Sequence, residues 1–328
     1  MRTMHPISLV LAAALVVVLL AGCSNGVRDT AMPTPGPRPA RPSKIRLGSL
    51  STEDVLPLWA AQQQGTFDKL GVAVQIVAFS STEKRDAAFK SGAIDGFVGD
   101  ILTVAALRNH GFKGRIVTVC LGSTPTQGRV GLVSAHGSRL SLVSQLENVR
   151  VATPSGTMEE YVLDGLMQKR TRSWTVKKRY VESAQERYDL LTQGRVKAAI
   201  LPEPYLSLAI RRRGHLIVDD TKGRNLSQTV LVFSDSFLGK PQGASAVDRL
   251  LGAWDSGSSN VNSRRKIFRP LLAEKAHLPG PLKKHYRMSS YPHHQLPTRQ
   301  EIASVLEWMQ RKGLLRSRPA YADITWTP

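Results

Sequence analysis

The chain reads as an α/β protein of two lobes joined by two extended crossings with a ligand cleft between them, and three features of its patterning lead there. Short apolar runs alternate with amphipathic stretches of about ten residues, the pattern of strands and helices in a largely parallel sheet. That alternation breaks at residues 122–128 and then begins again. After a second crossing at residues 224–230 the chain turns helical and holds too few strands for a third sheet, so its place is on the first lobe.

Taken in order, residues 45–48 form a strand, 56–64 a helix stopped by Gly65, 72–79 a strand and 83–90 a helix closed by Gly92. Residues 94–98 are the next strand, 101–110 a helix ended by Gly111, and 115–121 a strand. The second set has strands at 130–134, 149–153, 176–181, 198–201 and 216–218, with helices near 142–146 and at 157–169, 184–192 and 203–213 between them. Strand 228–233 follows, then helices at 246–254, 263–274 and 298–312. The lobes so divided are residues 44–123 plus 231–328, and residues 124–230.

Residues 1–22 have the layout of an export signal, with Arg2 in a short charged start and an apolar run from Leu9 to Ala21 too short to span a bilayer as a mature helix. The run ends in Leu20-Ala21-Gly22-Cys23, which resembles the lipobox of bacterial lipoproteins. The resemblance implies that the Cys23 thiol receives a diacylglyceryl group, a palmitate-type anchor, and that residues 23–43 start the mature chain at the membrane. Pro33, Pro35, Pro37, Pro39 and Pro42 make that stretch an extended tether with no core to bury. At roughly 3.1 Å per residue it would reach up to about 60 Å.

In open α/β sheets a ligand sits beyond the carboxyl ends of the strands. The segments placed there are 49–52, 80–82, 99–100, 153–157 and 201–204, each closing a strand and opening a helix whose free N–H groups suit a polar or anionic group. Their hydroxyls also read as helix caps. Ser80 with Glu83, Ser183 with Glu186 and Thr298 with Glu301 have capping-box spacing. Ser183 and Thr298 are caps alone, whereas at Ser80 and Ser81 one hydroxyl can cap while its neighbour faces the cleft.

Several ordered motifs now carry a resemblance. Ile45-Arg46-Leu47-Gly48, Leu56-Pro57-Leu58-Trp59-Ala60-Ala61-Gln62 and Gly65-Thr66-Phe67 open the series. Arg85-Asp86-Ala87-Ala88-Phe89, Gly92-Ala93-Ile94-Asp95-Gly96, Gly99-Asp100 and Gln193-Gly194-Arg195-Val196-Lys197-Ala198-Ala199-Ile200-Leu201-Pro202-Glu203-Pro204 continue it. Leu306-Glu307-Trp308-Met309 and Lys312-Gly313-Leu314-Leu315 close it. Together, over residues 44–323, they resemble the type 2 periplasmic binding proteins grouped with thiamine-pyrimidine, alkanesulfonate, taurine and nitrate binders. The resemblance implies a lipid-anchored protein that closes on a small solute and delivers it to an ABC importer, a permease with its ATPase. It draws the pocket from Ser49, Leu50, Ser51, Ser80, Ser81 and Asp100 on one lobe, and from Ser155, Gly156, Thr157 and Glu203 on the other. A monomer is expected, with no cofactor, no metal and no nucleic acid.

Ligand chemistry follows from what those segments contain. None of the five holds Lys or Arg; Asp100 and Glu203 lie within them, and Glu53, Asp54, Glu159 and Glu160 lie beside them. Buried carboxylates oppose a sulfonate and suit an amine or amino-heterocycle. Trp59, Tyr161 and Tyr205 could stack on a flat ring, though each alone reads more readily as core or cleft wall. The expected ligand is a nitrogen compound, a thiamine-type pyrimidine leading; an organosulfonate or other anion is the alternative.

Enzymatic chemistry finds no support. Related eukaryotic pyrimidine synthases carry a cysteine-rich iron motif, but this chain has only Cys23 and Cys120, and Cys120 sits in an apolar run that reads as a buried strand. Neither a Gly-x-Ser-x-Gly nor a phosphate-loop pattern occurs, no Cys/His group has zinc spacing, and His293-His294 is an adjacent loop pair.

The charge balance points to a third class. The chain holds 45 Lys+Arg against 25 Asp+Glu, a net +20, and removing Arg2 with the signal leaves the basic character in place. Six cations and no acid occupy residues 169–179, Arg211-Arg212-Arg213 ends a helix where cations answer the dipole, and residues 261–318 hold thirteen cations against three acids. Such surfaces suit anionic lipid headgroups or an acidic permease rim. Nucleic acid fits poorly, because aromatic residues do not interleave with the cations.

Overall fold

The computed structural model describes residues 44–327 apart from 169, 172, 173 and 224. Cys23, the export signal and the tether lie outside the described residues. The first sheet is built from β1 (Lys44–Ser49), β2 (Ala73–Ala78), β3 (Gly96–Asp100), β4 (Gly114–Leu121) and, after a long excursion, β10 (Thr229–Ser234), in the order β2-β1-β3-β10-β4. The second comprises β5 (Val130–Ser134), β6 (Arg150–Thr153), β7 (Lys177–Tyr180), β8 (Ala198–Pro202) and β9 (His215–Asp219), in the order β7-β6-β8-β5-β9. All ten strands expected from the apolar runs are present.

Each sheet is parallel except for one strand. β1 pairs in parallel with β2 and β3, and β6 with β7 and β8, whereas β10 and β5 run antiparallel to both of their neighbours. The reason is the crossing itself. β4 runs towards the cleft and the chain leaves there, so β5 must enter the second sheet from its cleft edge and run away from it; β10 does the same on return.

Two hydrophobic layers sandwich the first sheet. Trp59, Trp254 and Val247 lie in one, from helices Leu56–Gln63 and Gly243–Ser263; Phe89, Phe97, Ile302 and Trp308 lie in the other. The C-terminal segment thus covers the first sheet, and Thr325 bridges to Ile116 of β4. Helix Gly243–Ser263 runs nine residues past the expected end at Trp254, because Gly257 is a packing residue and not a breaker. A Cβ there would lie 2.1 Å from the Pro57 carbonyl oxygen, so only glycine lets the two helices meet. Helix Tyr205–Arg211 starts two residues later than expected, behind Pro204.

Side chains, not a β-ladder, lace the crossings together. Asn225 Nδ2 donates to the Gln127 carbonyl at 2.8 Å and Gln228 Nε2 to the Gly122 carbonyl at 3.0 Å. Asp220 accepts from the backbone of Val130 at 3.0 Å and of Ser227 at 3.1 Å. Gly122 takes φ +95°, a turn a side chain would strain. Backbone groups are satisfied without a continuous sheet between the lobes, the arrangement a hinge needs.

Candidate functional site

Carboxylates dominate the segments at and after the strand ends. Glu53 and Asp54 lie on the short 3-10 turn Glu53–Val55 after β1. Although Glu53 as a residue is partly exposed, its carboxylate accepts from the Ser289 N–H at 2.5 Å and the Tyr286 hydroxyl at 2.7 Å, with the Tyr291 hydroxyl 3.4 Å away. Burial pushes Glu53 up to about 7; the Ser289 and Tyr286 hydrogen bonds oppose the rise, and the Glu203 charge of the second lobe adds to it.

Glu203 sits at the end of β8, accepting from the Ser207 hydroxyl at 2.9 Å and the Ser207 N–H at 3.2 Å. Burial raises its pKa against the pull of Arg129. Arg129 Nε lies 3.5 Å from both Glu203 and Asp219 and makes no hydrogen bond. Glu203 and Asp219 therefore share one nearby guanidinium.

Asp100 is a further buried acid at a strand end. Its Oδ1 accepts from the Thr103 N–H at 2.7 Å, so it caps helix Ile101–Asn109. Burial raises Asp100, and Glu159 of the second lobe contributes in the same direction. Here the charges balance better. Arg187 Nη2 donates to Glu159 at 3.1 Å, and Arg85 acts on both Asp100 and Asp54.

Orphaned polar atoms gather on the same walls. Among the described residues Arg129 Nε and Thr157 Oγ1 are buried without a hydrogen-bond partner, and Asp54 Oδ1 and Thr229 Oγ1 make no close hydrogen bond although the Thr229 hydroxyl acts on Asp54; all four belong to segments at the strand ends and crossings. Buried polar atoms cost free energy unless something pairs them. Among the described residues no group of three or more His, Cys, Asp and Glu is arranged to hold a metal ion.

The remaining expected site residues divide. Ser49 is buried at the end of β1, with Leu50 and Ser51 partly exposed after it. Ser81, not Ser80, caps helix Thr82–Lys90; Ser80 is exposed and accepts from Lys84 Nζ at 3.1 Å. Trp59 is core, 7% exposed beneath the first sheet. Tyr161 is buried edge-on against Trp308, ring centroids 5.6 Å apart, and lines a cavity of about 10 Å³, room for about one water. Tyr205 packs against Tyr188 at 5.8 Å.

The loop leading into helix Met158–Gln168 has its N–H groups engaged by the chain's own acids. The Ser155 N–H donates to Glu182 and the Gly156 N–H to Glu160 Oε2 at 2.7 Å. Glu160 is 2% exposed, and its Oε1 accepts from Lys178 and from Lys312, each at 2.8 Å. Burial alone would raise it, but these partners hold it at about 2. Lys312 also reaches Asp164 at 3.2 Å, and Trp308 Nε1 donates to Asp164 at 3.0 Å. This cluster joins the second lobe to helix Arg299–Arg311 on the first. It also withdraws Lys178 from the basic run at 169–179.

Three cations escaped the sequence reading. Arg85, Arg129 and Arg187 stand outside the five strand-end segments, and folding brings them beneath or beside the cleft walls. A signal existed: Ser81, Arg85 and Gly92 recur at the same spacing as Ser183, Arg187 and Gly194.

This two-lobed α/β arrangement, with its paired crossings and interlobe cleft, is the fold of the type 2 periplasmic binding proteins. Solved structures with the same fold include the periplasmic aliphatic sulphonate binding protein of Escherichia coli, 18% identical over 88% of this chain and 93% of that one, TM-score 0.72. The alkanesulfonate-binding protein of Xanthomonas axonopodis pv. citri, bound to MOPS, is 19% identical over 88% and 99%, TM-score 0.69. The periplasmic nitrate-binding protein of Synechocystis PCC 6803 is 15% identical over 84% and 83%, TM-score 0.64. No family model and no curated protein sequence matches the chain.

Proposed function

We propose that the protein is a solute-binding component of an ABC importer, a binder and not an enzyme, whose ligand is a small nitrogen-containing cation such as an amino-pyrimidine. The carrying observation is that the carboxyl of Glu53 on the first lobe feels the charge of the buried Glu203 on the second, beside which Arg129 stands. Bringing the lobes together brings like charges together, and a ligand N–H⁺ between them converts that repulsion into charge-assisted hydrogen bonds. Closure is then favoured only with the right ligand bound, which is how a clamp responds to its solute. Asp54, Thr157 and Thr229 supply acceptors for the rest of it.

The lobes in this reading are residues 44–123 plus 231–328, and 124–230, with Ser49, Leu50, Ser51, Asp100, Ser155, Gly156 and Thr157 on the cleft walls. Cys23 carries the lipid, residues 24–43 are the tether, and the protein works outside the cytoplasm as a monomer beside its permease. An anion is the second reading, favoured by Arg129 Nε, which makes no hydrogen bond.

Native mass spectrometry of the gently purified protein, followed by calorimetric titration, tests the ligand class. Retention or tight binding of an amine or amino-heterocycle, lost in Glu203→Gln, is expected. Tight binding of an alkanesulfonate with no response to amino-pyrimidines would overturn it.

A further inference from the structure

We infer that the face formed by residues 264–287 is a docking surface for an anionic lipid bilayer. In helix Arg265–Lys275 the inward residues Phe268 and Leu272 are buried in the first lobe's core. Outward stand Arg264, Arg265, Lys266 and Ile267, all exposed. Ile267 is 66% exposed, more than any other large hydrophobic side chain among the described residues. The following turn repeats the division: Tyr286 and Met288 are buried, while Lys284 and Arg287 point to solvent.

Residues 264–287 hold eight Lys and Arg against one acid, Glu274, which lies 3.3 Å from Lys275. Among the described residues no other cation of this face has an ion-pair partner. Arg265 donates to the Met288 carbonyl at 3.1 Å and Arg269 to the Tyr286 carbonyl at 2.5 Å. Those bonds fasten helix and turn into one plate without neutralising either charge. Arg211 to Arg213 differ, since they follow a helix C-terminus and answer its dipole.

The exposed isoleucine selects the partner. An acidic protein or a nucleic acid would pair with the cations and leave Ile267 in water, whereas an anionic bilayer interface takes the charges at its headgroups and the apolar side chain just below them. Tyr286 of this segment holds Glu53, but none of the residues substituted below bonds to Glu53, Glu203 or Asp100, so the inference stands or falls independently of the ligand.

Both sheets and their cores lie within residues 44–327, so a chain beginning at Ser43 carries the whole described fold. Its co-flotation with phosphatidylcholine vesicles, with and without phosphatidylglycerol, tests the surface. Binding is expected only with phosphatidylglycerol, and it should weaken as salt rises. Arg264→Gln, Lys266→Gln and Lys284→Gln combined should weaken it about a hundredfold, at about 1 kcal/mol per cation. Ile267→Ser alone should weaken it about tenfold. Replacing Arg211 to Arg213 by Gln should change nothing. Equal binding to neutral vesicles, loss confined to the Arg211 to Arg213 variant, or no response to Ile267→Ser would each overturn the inference. All the substituted side chains are exposed, and unchanged thermal melting confirms that each variant is folded.

Discussion

Arg187 occupies in the second lobe the place that Arg85 occupies in the first: each sits on a helix and reaches thirteen residues along the chain, to the carbonyl of Ile200 and of Val98 respectively, both at 3.0 Å. Ser81 and Ser183 cap the two helices four positions earlier, and Gly92 and Gly194, at φ +72° and +70°, turn the chain seven positions later. One helix-turn-strand unit is built twice. Each copy hides a guanidinium behind a cleft wall, with Arg85 2% and Arg187 0% exposed.

Arg187→Ala should cost about 3 to 5 kcal/mol, because it strands Glu159 and leaves the Val181, Glu182 and Ile200 carbonyls without their donor. Arg187→Lys should recover less than half, since an ammonium cannot span the planar fork's contacts. Urea denaturation of both variants measures this. A loss below about 1 kcal/mol in Arg187→Ala would contradict it.

Glu53 gives the ligand-free protein a signed pH dependence. Its carboxyl is raised from 4.5 to about 7, so the stability tied to its protonated form is complete below about 4.5 and is lost as pH rises through about 7. Glu53→Gln keeps one acceptor oxygen, for the Ser289 N–H, presents its NH2 as a donor to the Tyr286 hydroxyl oxygen, and cannot ionise. The variant should be flatter across that window and more stable above it by up to about 3 kcal/mol. Melting temperatures from pH 4 to 8 compare the two; parallel profiles would refute the assignment.

Opposite behaviour is expected at the interlobe cluster. Glu160 is depressed to about 2, so its contribution is present above its ordinary 4.5 and lost as pH falls towards about 2. Lys312→Met should destabilise by about 1 to 3 kcal/mol, with Lys178 still holding the buried carboxylate. Its acid-unfolding midpoint should move to higher pH, which circular dichroism follows directly.

Gly257→Ala tests packing away from the cleft. With a Cβ 2.1 Å from the Pro57 carbonyl, helices Leu56–Gln63 and Gly243–Ser263 must separate, at about 1 to 3 kcal/mol. Ligand affinity measured by titration should be unchanged.

Strand and helix periodicity is a local property, and it was enough to name all ten strands, both crossings and the return of the C-terminal segment to the first lobe. The positions of Ser49, Asp100 and Glu203 at strand ends were legible for the same reason: the end of a strand in an open sheet is a place in the sequence as well as in space. Which charges meet across the cleft was decided only by the folded chain. Arg85 and Arg187 lie within helices and Arg129 in a crossing, Tyr286 and Ser289 come more than two hundred residues after the Glu53 they hold, and Trp59 turns from the cleft into the core. Electrostatic pairing and desolvation depend on distance through space, and no periodicity along the chain encodes that distance. The sequence therefore placed acids at the strand ends, and the tertiary structure decided which charges act on one another, with Glu203 of the second lobe raising Glu53 of the first.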